Sequence, residues 1–511
     1  MSINISDKSN FIWKIADILR GDYKQHEYAD VILPFTVLKR LDSVLIDTHD
    51  EVVKLDNQLT YKNKAPFLCK ASGYKFYNTS EFTFAKLKDD PNNLDENIVD
   101  YIKGFSDNAR EILEAFNIYS QIERLEKEGL LYLIVSKFSD EIDLHPDRVS
   151  NTEMGYIFEE LIRKFSEMSN ETAGEHFTPR EVIRLMVAIL FDPDMHEITD
   201  PSFMAKLYDP AAGAGGMFVQ SAKFVQNHQG RANDLSIYGQ ESNANTWKLA
   251  QMNLAIHGLE GDLGSGAADT FFKDLHPDMR ADFIIANPPF NLKDWGGDRL
   301  VEDKRWKYGL PPNGNANYAW MQHMIYHLSD VGKMGLVLAN GSLSSSTGTE
   351  AQIRENIIKD DLVECIIAMP DRLFYSTGIS VSLWIINKAK AQKNKTLFLD
   401  CRSLGHMVDR AHRDLAEADI EKIATTYHKF TEGKDVEEVG FAYVAETSEI
   451  DANSFVLTPG RYVGLEEEEE DNEPFEEKME RLAGELKTLF EESNKLEKDI
   501  KTRLGELGYG I

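Results

Sequence analysis

The chain has 511 residues and a formal net charge of −30, with 42% hydrophobic and 28% charged residues. This length allows roughly two to four domains with a large core, and no apolar run approaches the length of a membrane span. A protein that binds a nucleic acid unaided usually carries a basic excess to replace phosphate counterions. A nucleic acid therefore fits this acidic chain only if a partner subunit supplies most of the phosphate contacts.

The three cysteines, Cys69, Cys365 and Cys401, are far apart and form no CxxC pair. This spacing predicts neither a disulfide framework nor a zinc site. Residues 1–10 are polar and contain no apolar segment of a secretion signal. We therefore expect a cytoplasmic location and no membrane association.

The first third of the chain has a helical pattern. Between Asn10 and Leu45, apolar residues recur at three- and four-residue steps, and the spacing returns in residues 112–138 and 154–165. We predict an amino-terminal α-helical domain, residues 1–165, without a catalytic motif of its own.

Residues 166–440 alternate between strand-like and helical segments. This alternation predicts βαβ units and a largely parallel sheet in an α/β domain. The predicted strands are Ala205–Tyr208, Leu235–Tyr238, Asp282–Ala286, Met334–Leu338, Leu362–Ala368 and Ile379–Asn387, with Lys395–Asp400 as a further candidate.

Beyond residue 440 the chain becomes irregular and includes five consecutive glutamates, residues 466–470. We predict an acidic linker, residues 441–473, and then a coiled-coil-like heptad helix, residues 474–511. Its seam consists of Phe475, Met479, Leu482, Leu486, Leu489, Leu496 and Ile500. Since a lone amphipathic helix cannot bury its apolar stripe, we expect this helix to dock on a partner subunit rather than on its own domain.

A glycine-rich turn, Asp209-Pro210-Ala211-Ala212-Gly213-Ala214-Gly215-Gly216, follows the first predicted strand. Its glycines let the backbone approach a bound cofactor closely, and a helix is predicted from about Met217. The turn does not fit the phosphate loop GxxxxGKS/T, so no motor ATPase is indicated. Glu241 and Asp269 follow at positions where they could accept hydrogen bonds from a cofactor's ribose and adenine.

The third predicted strand ends in Asn287-Pro288-Pro289-Phe290. The prolines fix φ and remove N–H donors, which leaves the backbone carbonyls free to accept a hydrogen bond. Asn287 adds a side-chain carbonyl and Phe290 adds an aromatic face. The motif can therefore hold a planar amine such as the N6 amine of adenine, and a plain proline-rich turn is the structural alternative.

Two other candidate sites are weaker. His323 and His327 stand four residues apart on a predicted helix, as zinc-binding pairs do, but the glutamate of an HExxH motif is missing. We predict no metal site. Ser342 follows a strand but lacks the GxSxG pattern of a nucleophile elbow.

The ordered set of motifs resembles the S-adenosylmethionine-dependent N6-adenine DNA methyltransferases. Within that group the chain is most similar to the modification subunit of type I restriction-modification systems, over roughly residues 10–465. The segments that carry this second likeness are Phe11-Ile12-Trp13-Lys14, Val31-Ile32-Leu33-Pro34-Phe35, Glu175-His176-Phe177-Thr178-Pro179-Arg180 and Leu373-Phe374-Tyr375-Ser376-Thr377-Gly378-Ile379. The resemblance implies an α/β, Rossmann-like methyltransferase sheet with an amino-terminal helical domain and a carboxy-terminal coiled-coil-like helix.

The resemblance also implies a role for each motif. Asn287 and the Pro288 carbonyl would bind the N6 amine of a flipped-out adenine in duplex DNA, in a rigid loop completed by Pro289, while Phe290 stacks on the base. S-adenosylmethionine would be the cofactor, with its ribose on Glu241 and its adenine on Asp269. The implied cofactor-binding residues are Glu175, His176, Phe177, Thr178, Pro179, Arg180, Asp209, Ala211, Gly213, Ala214, Gly215, Gly216, Glu241 and Asp269.

The implied partners are a separate specificity subunit, a restriction subunit and a second copy of the chain. No basic insertion between Asn287 and the last strand could read base edges. We therefore expect the chain alone to bind S-adenosylmethionine but to methylate DNA weakly or not at all. Two alternatives remain: a glutamine-N5 protein methyltransferase, in which a tyrosine usually replaces Phe290, and a non-catalytic scaffold with a methyltransferase fold.

Overall fold

The computed structural model describes residues 12–61, 63–168, 178–191, 204–228, 230, 234–374, 379–408 and 412–464, and separate residues between 479 and 503. The chain divides into two compact units, Met1–Val463 and Gly464–Ile511. None of the helices in these described ranges combines the length and the apolar character needed to cross a lipid bilayer.

The amino-terminal region is helical. Its helices are α1 Ile15–Leu19, α2 Tyr28–Leu45, α3 His49–Gln58, α4 Ala65–Ser72, α5 Phe84–Leu87, α6 Leu94–Lys103, α7 Asp107–Ala115, α8 Ile118–Lys127, α9 Leu131–Glu141 and α10 Asn151–Met168. Their apolar faces pack around Phe138, whose ring lies 5.8 Å from that of Phe35 and 6.4 Å from that of Phe84. Met252, from a later helix, joins this core. The helical region is therefore packed directly on the sheet region.

A nine-stranded sheet forms the centre of the second region. Its strands are β1 Ala205–Asp209, β2 Leu235–Gly239, β3 Gly261–Asp262, β4 Ala281–Ala286, β5 Leu328–Ala339, β6 Val363–Ala368, β7 Val381–Asn387, β8 Lys395–Asp400 and β11 Ala442–Glu446. A separate antiparallel pair consists of β9 His406–Met407 and β10 Arg413–Asp414. The spatial order is β11-β8-β6-β7-β5-β4-β1-β2-β3, and β7 and β11 run antiparallel to their neighbours.

Helices cover both faces of the sheet. They are α11 Arg180–Leu190, α12 Gly216–Asn227, α13 Ala244–Ile256, α14 Asn317–His327, α15 Glu350–Lys359, α16 Glu417–Thr431 and α17 Thr447–Ala452. Successive residues of β1 point to opposite faces: Leu207 belongs to the core cluster that includes α11, α12 and α16, and Tyr208 belongs to the cluster that includes α14 and α15. The strand order reverses at β1, between β2 and β4. The loops after β1, β2 and β4 therefore meet at the edge where ligands bind in sheets of this kind.

Each of the seven predicted strand segments coincides with a strand, and the largely parallel Rossmann-like sheet with a helical amino-terminal region is confirmed. The sequence did not reveal that β7 inserts antiparallel between β5 and β6, because strand direction depends on non-local pairing. Apart from the linker described next, the predicted domain boundaries stay predictions.

The predicted linker, residues 441–473, was wrong in its first part. Ala442–Glu446 is strand β11, paired with β8, and Thr447–Ala452 is helix α17. Ile450 and Leu457 are fully buried. Apolar and acidic residues are interspersed there over short distances. No hydrophobic periodicity was therefore long enough to predict a strand or a helix. The five glutamates lie outside the described residues.

The described residues of the carboxy-terminal unit are largely helical. Three seam residues of the predicted heptad helix, Met479, Leu496 and Ile500, are exposed by 49%, 61% and 52%. Phe475, Leu482, Leu486 and Leu489 lie outside the described residues. The continuous heptad helix stays a prediction.

Candidate active site

A cavity of about 260 Å³ lies where the loops after β1, β2 and β4 meet. It is lined by ten of the predicted site residues: Thr178, Asp209, Ala211, Gly213, Ala214, Gly216, Glu241, Asp269, Asn287 and Pro289. Among the described residues, the predicted ones that do not line it are Pro179, Arg180, Gly215, Pro288 and Phe290. Glu175, His176 and Phe177 lie outside the described residues.

The glycine-rich turn takes a conformation that few other residues adopt. Gly213 and Gly215 have φ values of 52° and 76°, in the left-handed region. The Gly213 N–H donates to Glu241 Oε2 at 3.0 Å, and the Asn243 N–H donates to Glu241 Oε1 at 2.8 Å. Oε1 also accepts from the Ser242 hydroxyl at 3.3 Å. Glu241 thus holds the turn in place, and its Oε2 keeps a lone pair for a ligand hydroxyl.

Asp209, at the end of β1, is almost completely buried. Its Oδ1 accepts a hydrogen bond from the Ala211 N–H at 3.0 Å. Burial, against the opposing effect of that hydrogen bond and with a smaller contribution from the nearby Glu241 carboxylate, raises the pKa of Asp209 to about 8. Asp209 is therefore largely protonated at neutral pH in this structure.

Asp269 begins a tight loop beside an aromatic wall. Its Oδ1 accepts from the Phe271 N–H at 2.8 Å, and the Thr270 hydroxyl donates to the Pro210 carbonyl at 2.6 Å. The rings of Phe271 and Trp295 lie 4.9 Å apart, and both residues line the cavity. This end of the cavity thus offers a carboxylate beside flat apolar faces.

Asn287 follows β4 directly. Its Nδ2 donates to the Thr178 hydroxyl at 2.9 Å. Its Oδ1 is buried and finds no hydrogen-bond partner within the described part of the chain. Buried side-chain acceptors are usually paired, so this oxygen marks a place where a donor is missing.

Phe290 lies under the loop in the apolar core and is 8% exposed. Its ring meets that of Phe374 edge-on, with centroids 5.8 Å apart. The loop continues into Asn291, which exchanges hydrogen bonds with Asn317 of α14 at 2.9 and 3.0 Å. Phe374 was not among the predicted site residues, although it lies in one of the segments that carried the resemblance. Tyr375 to Gly378 lie outside the described residues.

Arg180, which the resemblance places beside the cofactor, does not line the cavity. Its guanidinium stacks on the ring of Tyr156 in α10, 4.1 Å from the ring centroid. Arg180 thus contacts the helical region, and Ile162 of the same helix α10 lines the cavity. The helical region contributes to the wall of the site, which the sequence did not predict.

A family model described as N-6 DNA Methylase matches residues 149–471, and a model of the HsdM N-terminal domain matches residues 8–138. The chain belongs to the N-6 DNA methylase family.

Two relatives and one solved structure refine this assignment. The chain is 47% identical to the Type I restriction enzyme HindI methylase subunit of Haemophilus influenzae, over 70% of this chain and 78% of that protein. It is 36% identical to the MjaIX methylase subunit of Methanocaldococcus jannaschii, over 98% and 91% of the two chains. The fold matches a type I restriction-modification methyltransferase subunit from Streptococcus thermophilus with a TM-score of 0.74, at 23% identity, over 90% and 99% of the two chains.

These matches confirm the predicted function class. This N-6 DNA methylase is an adenine-specific DNA methyltransferase, a methylase subunit of a type I restriction-modification system. The glutamine-N5 and scaffold alternatives are thereby disfavoured.

Two buried residues that support the N-6 DNA methylase site were missed from the sequence. Gln240, which is fully buried, donates to the carbonyls of Ala268 and Lys273 at 3.1 and 2.7 Å and accepts from the Leu275 N–H at 3.0 Å. Its position directly before Glu241, at a strand end, was the available signal. Gln240 thus holds the loop that carries Asp269.

The second missed residue, Arg305, holds the same loop from the other side. Its guanidinium donates to the carbonyls of Thr270 and Phe271 at 3.1 and 2.6 Å and pairs with Asp303 at 2.7 Å. No motif marks Arg305, because a single arginine in an irregular loop carries no local signal.

His323 and His327 lie in α14, as predicted, and form a buried cluster with Asp274. His323 Nδ1 is 3.0 Å from Arg305, which can only donate, so Nδ1 accepts and Nε2–H donates to Tyr208. Burial, together with the neighbouring His327 and Arg305 side chains, holds the pKa of His323 well below its usual range. Both ring nitrogens of His323 are thus used by protein contacts. His327 Nδ1 lies 3.1 Å from the Met279 carbonyl and Nε2 lies 2.9 Å from Asp274 Oδ2, so the cluster forms a hydrogen-bond network behind Arg305.

Proposed function

We propose that the cavity binds S-adenosylmethionine and that the loop after β4 binds the N6 amine that receives the methyl group. The observation that carries this proposal is the buried Oδ1 of Asn287, which has no hydrogen-bond partner among the described residues, while Nδ2 is bound to Thr178. A buried acceptor without a donor is costly. The amine of a bound base would remove that cost.

The chemistry of the cavity fits this cofactor. The ribose hydroxyls and the adenine amine of S-adenosylmethionine are donors, and Glu241 and Asp269 supply carboxylate oxygens to accept from them. Phe271 and Trp295 supply aromatic faces for the adenine ring. The glycine-rich turn allows the methionine end to approach the backbone closely. When bound, the cofactor supplies the methyl group, activated on a sulfonium.

The protein's own contribution is to prepare the amine. The lone pair of an adenine N6 amine is delocalised into the ring, so the amine is a weak nucleophile. Asn287 Oδ1 and the Pro288 carbonyl accept from its two N–H groups, draw the nitrogen toward tetrahedral geometry and direct its lone pair at the methyl group. Pro289 keeps this loop rigid, and Phe290 supports it from the apolar core beneath. The barrier falls through positioning and electrostatics, without a covalent intermediate.

We further propose that the substrate is duplex DNA with the target adenine turned out of the stack, since a stacked base could not bring its amine to a buried oxygen. The relatives are named as subunits of type I restriction enzymes. The net charge of −30 leaves most phosphate contacts to a partner. A specificity subunit would therefore select the sequence, and two copies of this chain would join it through the carboxy-terminal helix. A restriction subunit would complete the assembly, in the cytoplasm.

The test is the Asn287→Ala variant, assembled with its specificity subunit and assayed with radiolabelled S-adenosylmethionine. Loss of an acceptor that acts on the reacting group should reduce kcat by roughly 100-fold or more, while the cofactor Kd stays near the wild-type value. Asn92→Ala, an exposed amide in a turn of the helical region, is the control and should leave both values unchanged. Methyl transfer by Asn287→Ala at the wild-type rate would refute the assignment.

A further inference from the structure

The amide of Asn287 has two ends of nearly the same shape but of opposite hydrogen-bonding character. Only Oδ1 can accept from a target amine. If the amide turned by 180°, Nδ2 would face the amine and two donors would oppose each other. The proposed reaction therefore requires an acceptor for Nδ2 in the productive orientation.

The Thr178 hydroxyl is that acceptor in this structure, 2.9 Å from Nδ2. Thr178 stands two residues before α11, and the carbonyl of the intervening Pro179 accepts from the Ile183 N–H at 3.1 Å. Helix α11 is in turn held by apolar residues packed on the sheet, including the fully buried Val182 and Leu185. The hydroxyl thus lies directly before a helix that is packed on the sheet, and it meets Asn287 at the end of β4.

We propose that Thr178 is a positioning residue for methyl transfer, which acts by holding Asn287 with Oδ1 directed at the target amine. This inference rests on the proposed function of Asn287 and deepens it. It also assigns Thr178 a different role from the cofactor contact that the resemblance implied. A hydroxyl can donate as well as accept, so it permits either orientation of the free amide. Once the target amine donates to Oδ1, however, Nδ2 needs an acceptor, and the Thr178 hydroxyl supplies it. Without the hydroxyl, the buried Nδ2 has lost this acceptor in the productive orientation.

The experiment uses the assembled complex with Thr178→Val, which keeps the shape of the side chain and removes the hydroxyl, and Thr178→Ser, which keeps the hydroxyl. Loss of one acceptor for a buried donor should reduce kcat by about tenfold or more. The Kd for S-adenosylmethionine, measured by equilibrium binding without DNA, should stay within about twofold, since the proposal puts no cofactor contact on Thr178. Thr178→Ser should restore most of kcat.

A binding assay separates orientation from general structural damage. Duplexes carry either adenine or purine, which lacks the 6-amino group, at the target position. Wild type should prefer adenine because Oδ1 accepts from its amine. In Thr178→Val this preference should fall by about threefold or more, whereas a structural defect would weaken both duplexes equally.

The outcomes are separable. A raised cofactor Kd in Thr178→Val, or an unchanged kcat, overturns the positioning role, as does an unchanged preference for adenine over purine. If Asn287→Ala retains activity, the proposed function itself fails. If Asn287→Ala is inactive while Thr178→Val is normal, only the positioning role fails.

Discussion

The two ends of the cavity are built in different ways. At the cofactor end, Gln240, Thr270 and Arg305 hold the loop of Asp269 by hydrogen bonds from buried side chains. At the target end, Asn287 is held by Thr178 through Nδ2, and its Oδ1 has no partner among the described residues. Under the proposed function, the cofactor end is formed in advance, whereas the target end keeps an acceptor that the donor of a bound base would satisfy. Variants at the two ends should therefore affect different steps.

The largest effect is expected for Arg305→Met. The variant leaves the Asp303 carboxylate and two loop carbonyls without their partner, and breaking such a buried pair costs about 3–5 kcal/mol of unfolding free energy. We expect a matching loss of thermal stability and a cofactor Kd raised about tenfold or more, measured by thermal denaturation and equilibrium binding.

Arg299→Met is the matched control, because Arg299 is exposed in the same loop and stacks on Phe272 at 4.1 Å. Such exposed contacts contribute about 0.5–1 kcal/mol. Equal losses in the two variants would show that the inward contacts of Arg305 do not hold the cofactor end.

A pH effect is expected from Asp209, whose pKa is raised to about 8 by burial. The folded protein then binds a proton that the unfolded chain has released, so stability falls as pH rises from the ordinary aspartate pKa to the folded one. Between pH 6 and pH 8 this single group should lower the unfolding free energy by about 2 kcal/mol.

Asp209→Asn should remove this slope in denaturation curves recorded across that range. Asp278→Asn, at an exposed acid, should leave it intact. A slope of equal size in Asp209→Asn and wild type would show that another group titrates.

At the target end, Phe290→Leu should remove the edge-on ring contact with Phe374 that supports the loop after β4 from below. Such a ring pair contributes about 0.5–1.5 kcal/mol, so kcat/KM for DNA should fall about threefold to tenfold while the cofactor Kd stays constant. Phe290→Tyr, which keeps the ring, should retain most of the activity. A change in cofactor affinity alone would show that Phe290 supports the cofactor end of the cavity and not the target end.

The smallest effect is expected for Thr270→Val, which removes the single hydrogen bond to the Pro210 carbonyl. Such a bond contributes about 1 kcal/mol, which corresponds to a cofactor Kd raised about fivefold. The rate at saturating cofactor should not change. A lower kcat with normal cofactor affinity would contradict the separation of the two ends.

Much of the fold and part of the site could be predicted from local patterns. Strands such as β1 and β4 are short apolar runs that end in turn residues, and their order along the chain predicted where Asp209, Glu241 and Asn287 would meet. The left-handed φ values at Gly213 and Gly215 are also a local property, which glycine alone allows without strain.

The remaining features depend on contacts between distant parts of the chain. The antiparallel β7 and β11 follow from strand pairing, and the supports from Gln240 and Arg305 follow from side chains that the folded loops turn inward. Thr178 and Asn287 are 109 residues apart. No spacing in the sequence relates them, because the packing of α11 against the sheet brings the Thr178 hydroxyl to the Asn287 amide. In this arrangement Asn287 Oδ1 has no hydrogen-bond donor among the described residues.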